Sequence, residues 1–182
     1  MKMAAGLDIS RLYDEHAQPL YAFLLNLTRD EADTRDEADT RDLLQELFVK
    51  LARSPHLLAG IRAERAFLIR LAHNAAIDLM RRRGTRDKTK ENFAAEMISP
   101  FAPTNDPDEK VFRENLAAAL GELPEEQRAV VHLKLWEGLT FEELAAALEI
   151  PPNTAASRYR YGLDKLRERL RPLYEEMKRA ES

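Results

Sequence analysis

The 182-residue sequence predicts an all-α protein of two small helical domains joined by a flexible linker. Three observations carry this. Proline, which breaks helix interiors, is absent between His56 and Ser99, between Glu125 and Ile150, and between Asn153 and Arg171. Those spans are rich in Ala, Leu, Glu, Lys and Arg, the strong helix formers. No sustained period-two alternation of apolar and polar residues marks a strand.

Taken in order, a first helix spans Ser10 to Leu27, with Leu12, Tyr13, Leu20, Leu24 and Leu27 inward and Pro19 expected to kink or restart it. A second ends near Arg53, with Leu44, Leu47, Phe48 and Leu51 spaced as a buried stripe. A third runs from about Arg62 to Arg83, with Leu68, Leu71, Ala72, Ala75 and Leu79 on one face. The polar stretch GTRDKTKENFAAEMISPFAPTNDPDEK, with three prolines, reads as a linker. A helix from about Glu109 then carries Val111 or Phe112, Leu116 and Leu120. Another starts at Pro124 and ends near Gly138. Thr140, with Glu143 three residues on, predicts a capping box opening the next helix. The domains are therefore expected at 1–84 and 109–173, with a linker over 85–108 and a short tail at 174–182.

A hydrophobic share of 45% supports real cores, and a charged share of 33% suits a solvated surface. No apolar run approaches the ~20 residues of a membrane span, and MKMAAGLDIS lacks the apolar core of a secretory signal. The absence of cysteine excludes disulfides and thiolate metal sites. A cytoplasmic protein without membrane contact is expected. The overall charge of −4 conceals blocks of opposite sign: Thr28 to Glu46 is net −5, Arg81 to Lys90 net +5, and Asn153 to Arg171 net +4. Such alternation points to more than one charged partner.

The segment TFEELAAALEIPPNTAASRYRYGLDKLRERL reads as helix, tight turn, helix. Phe141, Leu144, Ala145 and Leu148 face inward, Ile150 plugs the turn, and Pro152 or Asn153 starts the second helix. Its inner stripe is Ala155, Tyr159, Leu163, Leu166 and Leu170. At about 100° per residue the opposite face holds Asn153, Thr154, Ser157, Tyr161 and Asp164, flanked by Arg158 and Arg160. Small polar residues with flanking arginines suit the DNA major groove. Lys165, Arg167 and Arg169 lie further along, where phosphate neutralisation is expected. In the first domain Asn74, Asp78 and Arg82 form a stripe away from the leucines, next to Arg81 and Arg83. Asp42, Gln45, Glu46 and Val49 lie off the buried stripe of the second helix, an acidic surface fit for water or a basic protein partner.

In this order, DLLQELFVKLAR, AFLIRLAHNAAIDLMRRR, a polar linker and LPEEQRAVVHLKLWEGLTFEELAAALEIPPNTAASRYRYGLDKLRERL, the chain resembles a bacterial extracytoplasmic-function (ECF) sigma factor, with sigma-70 regions 2 and 4. The resemblance implies a transcription initiation factor. Region 2 would bind the clamp helices of the RNA polymerase β′ subunit through Asp42, Gln45, Glu46 and Val49. It would open and read the −10 promoter element near Asn74, Asp78, Arg81, Arg82 and Arg83. Region 4 would read the −35 element with Asn153, Thr154, Ser157, Arg158, Arg160 and Lys165, and touch the β flap. An anti-sigma protein often holds such factors inactive. The family often has an acidic residue where Arg41 stands and a glycine where Glu149 stands. Its recognition helix commonly has a lysine at Ala156 and an arginine at Tyr161. These departures bear on which promoter is read.

The segment TRDEADTRDEADTRD holds RDEADT twice, at 29–34 and 35–40. Six extra residues inside a packed helix would turn the rest of that helix about 240° out of register. The extra copy is therefore expected at a helix end or in a loop, where Thr28 and Thr34 offer competing capping boxes. The other classes fit less well. No glycine-rich phosphate loop, nucleophile motif or metal-ligand cluster is present, so no enzyme activity, cofactor or metal is expected. The four histidines are scattered and predict packing or surface roles. A plain helix-turn-helix regulator would have no use for the DLLQELF surface, and an interaction adaptor none for the basic helix.

Overall fold

The computed structural model describes residues 8–28, 36–86 and 106–180. Among them lie seven α-helices: α1 (Ile9–Thr28), α2 (Asp36–Arg53), α3 (Glu64–Arg86), α4 (Pro107–Gly121), α5 (Glu125–Leu135), α6 (Phe141–Leu148) and α7 (Pro152–Ala180). A single 3-10 turn at Pro55–Leu58 follows α2, and the described residues hold no strand. Most of the expected linker and the Thr34 capping box lie outside the described residues.

Helix α1 passes through Pro19 without a break, so the expected restart does not occur. Its Leu12, Leu20, Phe23, Leu24 and Leu27 are buried, but Tyr13 is half exposed and meets the edge of Phe48 instead of entering the core. Leu44, Leu47, Phe48 and Leu51 of α2 are buried as their spacing requires, and Leu68 and Ala72 of α3 are fully buried. Helix α4 starts at Pro107 behind Asp106, whose carboxylate accepts from the Asp108 N–H at 3.0 Å. Leu120 is its buried anchor; Val111 and Phe112, read as core candidates, are both exposed.

Thr28 does not cap α2. It is buried at the end of α1, where its hydroxyl donates to the Leu24 carbonyl and accepts from the Thr40 hydroxyl at 3.0 Å. Helix α1 ends before the first RDEADT copy, and α2 begins within the second. The second copy supplies the fully buried Thr40 and also Asp39, whose carboxylate pairs with Arg83 at 2.6 Å.

The two halves do not keep separate cores. Leu12, Phe23, Leu24, Leu51 and Leu68 share one apolar cluster with Val130, Leu133, Leu144, Ala147 and Ala155. The cause is α5, in which six consecutive residues, Arg128 to Leu133, are buried. A helix buried all round has a second side to cover. Val130 and Leu133 join the cluster that holds α1, while Val131 turns to a smaller cluster with Leu120, Leu123 and Leu166. Polar contacts close the seam. Arg65 donates to the Glu137 carboxylate at 2.7 Å and to its carbonyl at 2.6 Å, and Arg70 meets Glu149 at 3.3 Å.

Candidate nucleic-acid interface

The helix-turn-helix is built as its sequence dictates. Thr140 caps α6 in a reciprocal box: its hydroxyl accepts from the Glu143 N–H at 3.2 Å, and the Glu143 carboxylate accepts from the Thr140 N–H at 2.7 Å. That backbone hydrogen bond is the main reason the Glu143 carboxyl sits below its ordinary pKa. Glu149 ends α6 in the left-handed region at φ 55°, the conformation for which glycine is usually chosen. Ile150 then bonds back to the Ala145 carbonyl at 3.1 Å and packs on the core, so the turn is tight.

Helix α7 continues the chain with Ala155 fully buried and Leu166 nearly so. Asn153, Arg160, Tyr161 and Lys165 are exposed, and Thr154, Ser157 and Arg158 are half-buried. The Ser157 hydroxyl donates to the Thr154 carbonyl at 3.0 Å. Arg158 pairs with Glu126 of α5 at 2.9 Å, and Arg169 pairs with Glu122. Part of the basic charge on α7 therefore also fastens it to its own domain. Neither glutamate stands out in the sequence, because each lies about 30 to 50 residues from its partner with no periodic relation to it.

On α3, Asn74, Asp78, Arg81 and Arg82 are exposed along one side. Arg82 Nε donates to the Asp78 carbonyl at 3.2 Å, one turn back. Arg83 departs from the expectation that grouped it with these residues. Its guanidinium donates to the Thr28 carbonyl at 3.0 Å and to Asp39 at 2.6 Å, which ties α3 to the ends of α1 and α2. It is a structural arginine rather than part of the outward basic face. His73, beside Asn74, lies within electrostatic reach of Glu125, Glu126 and Arg158. Burial outweighs those carboxylates and holds its imidazole below the ordinary value.

A second surface, on α2, sets two acidic residues beside two basic ones. Asp42, Gln45, Glu46 and Val49 are all exposed on α2 and line one shallow groove with Lys50, Arg53 and Ser54. Val49 is 41% exposed, an apolar contact point amid polar neighbours. Among the described residues no helix is long and apolar enough to cross a membrane.

Residues 12–86 match sigma-70 region 2, and residues 113–166 match sigma-70 region 4. The ECF RNA polymerase sigma factor SigX of Bacillus subtilis is 32% identical over 171 residues, covering 91% of this chain and 85% of SigX. The chain belongs to the ECF sigma factors. A sigma factor directs transcription by RNA polymerase, and that is the role of this one. SigL of Mycobacterium tuberculosis, of the same family, is 32% identical over 166 residues, covering 89% of this chain and 88% of its own. The fold matches the sigma factor RpoE of Bartonella quintana, solved with its anti-sigma factor NepR. The TM-score is 0.71 at 20% identity, over 90% of this chain and 97% of that one. It also matches CnrH, solved with the cytosolic domain of CnrY, at a TM-score of 0.61 and 20% identity, over 90% and 88% of the two chains.

Proposed function

We propose that this sigma factor binds the β′ clamp helices of core RNA polymerase through Asp42, Gln45, Glu46 and Val49. It meets the −10 element with Asn74, Asp78, Arg81 and Arg82. It reads the −35 element with Asn153, Thr154, Ser157, Arg158, Arg160 and Lys165, and it touches the β flap through region 4. The observation that carries this reading is the exposure, on one chain, of Asp42, Glu46 and the apolar Val49 side by side on α2 and of polar, basic faces on α3 and α7. Asp42 and Glu46 are suited to a basic protein surface and not to DNA; the faces of α3 and α7 are suited to DNA phosphates. Strand opening at the −10 element needs a pocket for an unstacked base and cations for the backbone, roles suited to Asn74 and the arginines. An anti-sigma protein is a further partner, by analogy with RpoE and its NepR.

The domains act at 1–84 and 109–173, with 85–108 as connector and 174–182 as tail. Reading both elements at once requires the halves to part. The elements are centred about 25 base pairs apart, roughly 85 Å at about 3.4 Å per pair. In the closed structure His73 of α3 lies within electrostatic reach of Arg158 of α7.

The test is run-off transcription from a pooled promoter library, using purified bacterial core polymerase with and without this protein. New defined transcripts are expected, and they vanish with Asp42→Arg or Glu46→Arg while the variants keep their melting temperature. Specific duplex binding without core binding would replace this reading with a plain helix-turn-helix regulator.

A further inference from the structure

The outward face of α7 also holds Tyr161, which is not among the −35 contacts proposed above. Ala155, Gly162 and Leu166 define the buried side of the helix. At about 100° per residue, Tyr161 projects from the side opposite Ala155 and Leu166, one turn beyond Ser157. Its side chain is 54% exposed, although burying an aromatic ring is normally among the larger contributions to stability. The neighbouring Arg160 is also exposed, and its guanidinium carbon lies 5.1 Å from the Tyr161 ring centroid. The ring therefore restrains the arginine fork by a cation–π contact. Two other polar side chains of this face are partly committed: the Ser157 hydroxyl to the Thr154 carbonyl, and Arg158 to Glu126.

We propose that Tyr161 is a specificity-determining residue for the −35 element and that it acts with Arg160 as one reading unit. The inference rests on the reading of α7 as the −35 recognition helix. The ring packs on the C5-methyl group of a thymine, the one apolar mark a base pair shows in the major groove. The stacked Arg160 presents its fork to the O6 and N7 acceptors of a guanine on a neighbouring pair. From Asn153 to Tyr161 the helix rises about 12 Å. That length spans between three and four base pairs at about 3.4 Å each. Tyr161 thus reads near the end of the contacted element, and Asn153 near its beginning.

The experiment uses holoenzyme assembled from the full chain and bacterial core polymerase, with selection from duplexes randomised through the −35 region. The wild type is expected to enrich a thymine beside a guanine. Replacing that thymine by uracil removes only the methyl group and is expected to weaken promoter binding about four-fold, as for one buried methyl. Tyr161→Ala is expected to bind the thymine and uracil templates equally and to relax the adjacent guanine preference. Tyr161→Phe, which keeps the ring, restores both. Equal thymine-to-uracil ratios in wild type and Tyr161→Ala, with the same enriched sequence, overturn the inference and leave the −35 reading intact. A wild-type holoenzyme that enriches no −35 sequence overturns that reading and this inference together.

Discussion

The side-chain amide of Asn26 on α1 donates to Nδ1 of His132 on α5 at 3.0 Å, in a buried bond that joins region 2 to region 4. Accepting at Nδ1 leaves the ring proton on Nε2, which finds no hydrogen-bond partner among the described residues. Phe23 and Trp136 flank the ring at 5.5 and 5.3 Å. Burial lowers the His132 pKa from 6.5 to about 4. The folded chain therefore carries a neutral imidazole where the unfolded chain, below pH 6.5, carries a cation.

Stability is accordingly expected to fall as the pH drops from about 6.5 towards about 4, because the unfolded state binds the extra proton throughout that window. The loss attributable to His132 is on the order of 3 kcal/mol and levels off below its folded pKa. His73, also lowered by burial, adds to it in the same direction. Urea midpoints at pH 7.5, 5.5 and 4.5 measure the effect. His132→Gln, whose amide oxygen still accepts from Asn26, is expected to lose most of the drop between pH 6.5 and 4.5; an unchanged pH profile contradicts the assignment.

Arg128 saturates the seam from the other side. It donates to the carbonyls of Asn26 and Leu27 at the end of α1, to that of Gly121 at the end of α4 and to that of Leu123 in the turn before α5. Arg128→Met removes these donors from largely buried carbonyls and is expected to cost about 3 kcal/mol. Arg128→Lys recovers only part of this, since an ammonium has three donors and no planar fork. A loss of less than 1 kcal/mol on denaturant titration of Arg128→Met counts against that role.

Gly162→Ala tests packing against propensity. On an exposed helix the change gains about 1 kcal/mol. Here the added Cβ stands 2.6 Å from Cγ2 of Val131, which is fully buried and stiff. Overpacking is expected to win, with a net loss of 1–3 kcal/mol, roughly the range for inserted methyl groups. A variant that melts higher than wild type refutes this.

Deleting one RDEADT copy is expected to be nearly silent. The remaining copy still places an Asp and a Thr directly before Arg41, so the contacts of Asp39 with Arg83 and of Thr40 with Thr28 can re-form. Circular dichroism should lose no more than the first turn of α2, and stability should stay within about 0.5 kcal/mol. A changed affinity for core polymerase would instead show that the acidic repeat contacts the enzyme.

Periodic features were legible in the sequence. The buried stripes of α1, α2 and α3, the Thr140–Glu143 box and the inner face of the helix-turn-helix follow from spacing alone, because each is local. The outward faces of α2 and α7 followed by subtraction. The burial of α5 on more than one side was not read from the sequence, since local spacing does not tell which distant helix covers AVVHL, Ala129 to Leu133. Arg128, Glu126 and Arg83 look like any surface charge, because their partners are distant in sequence. The helix through Pro19 and the exposure of Tyr13, Val111 and Phe112 show tertiary context deciding where local preference is weak.

The chain has a single tryptophan, and it stands on the seam: Trp136 stacks on His132 with the ring planes 25° apart. Indole emission shifts to the red when the ring meets more water. The protein therefore carries its own optical reporter of the seam, and a change in its emission on mixing with core polymerase, read against the emission of core alone, would test whether regions 2 and 4 separate.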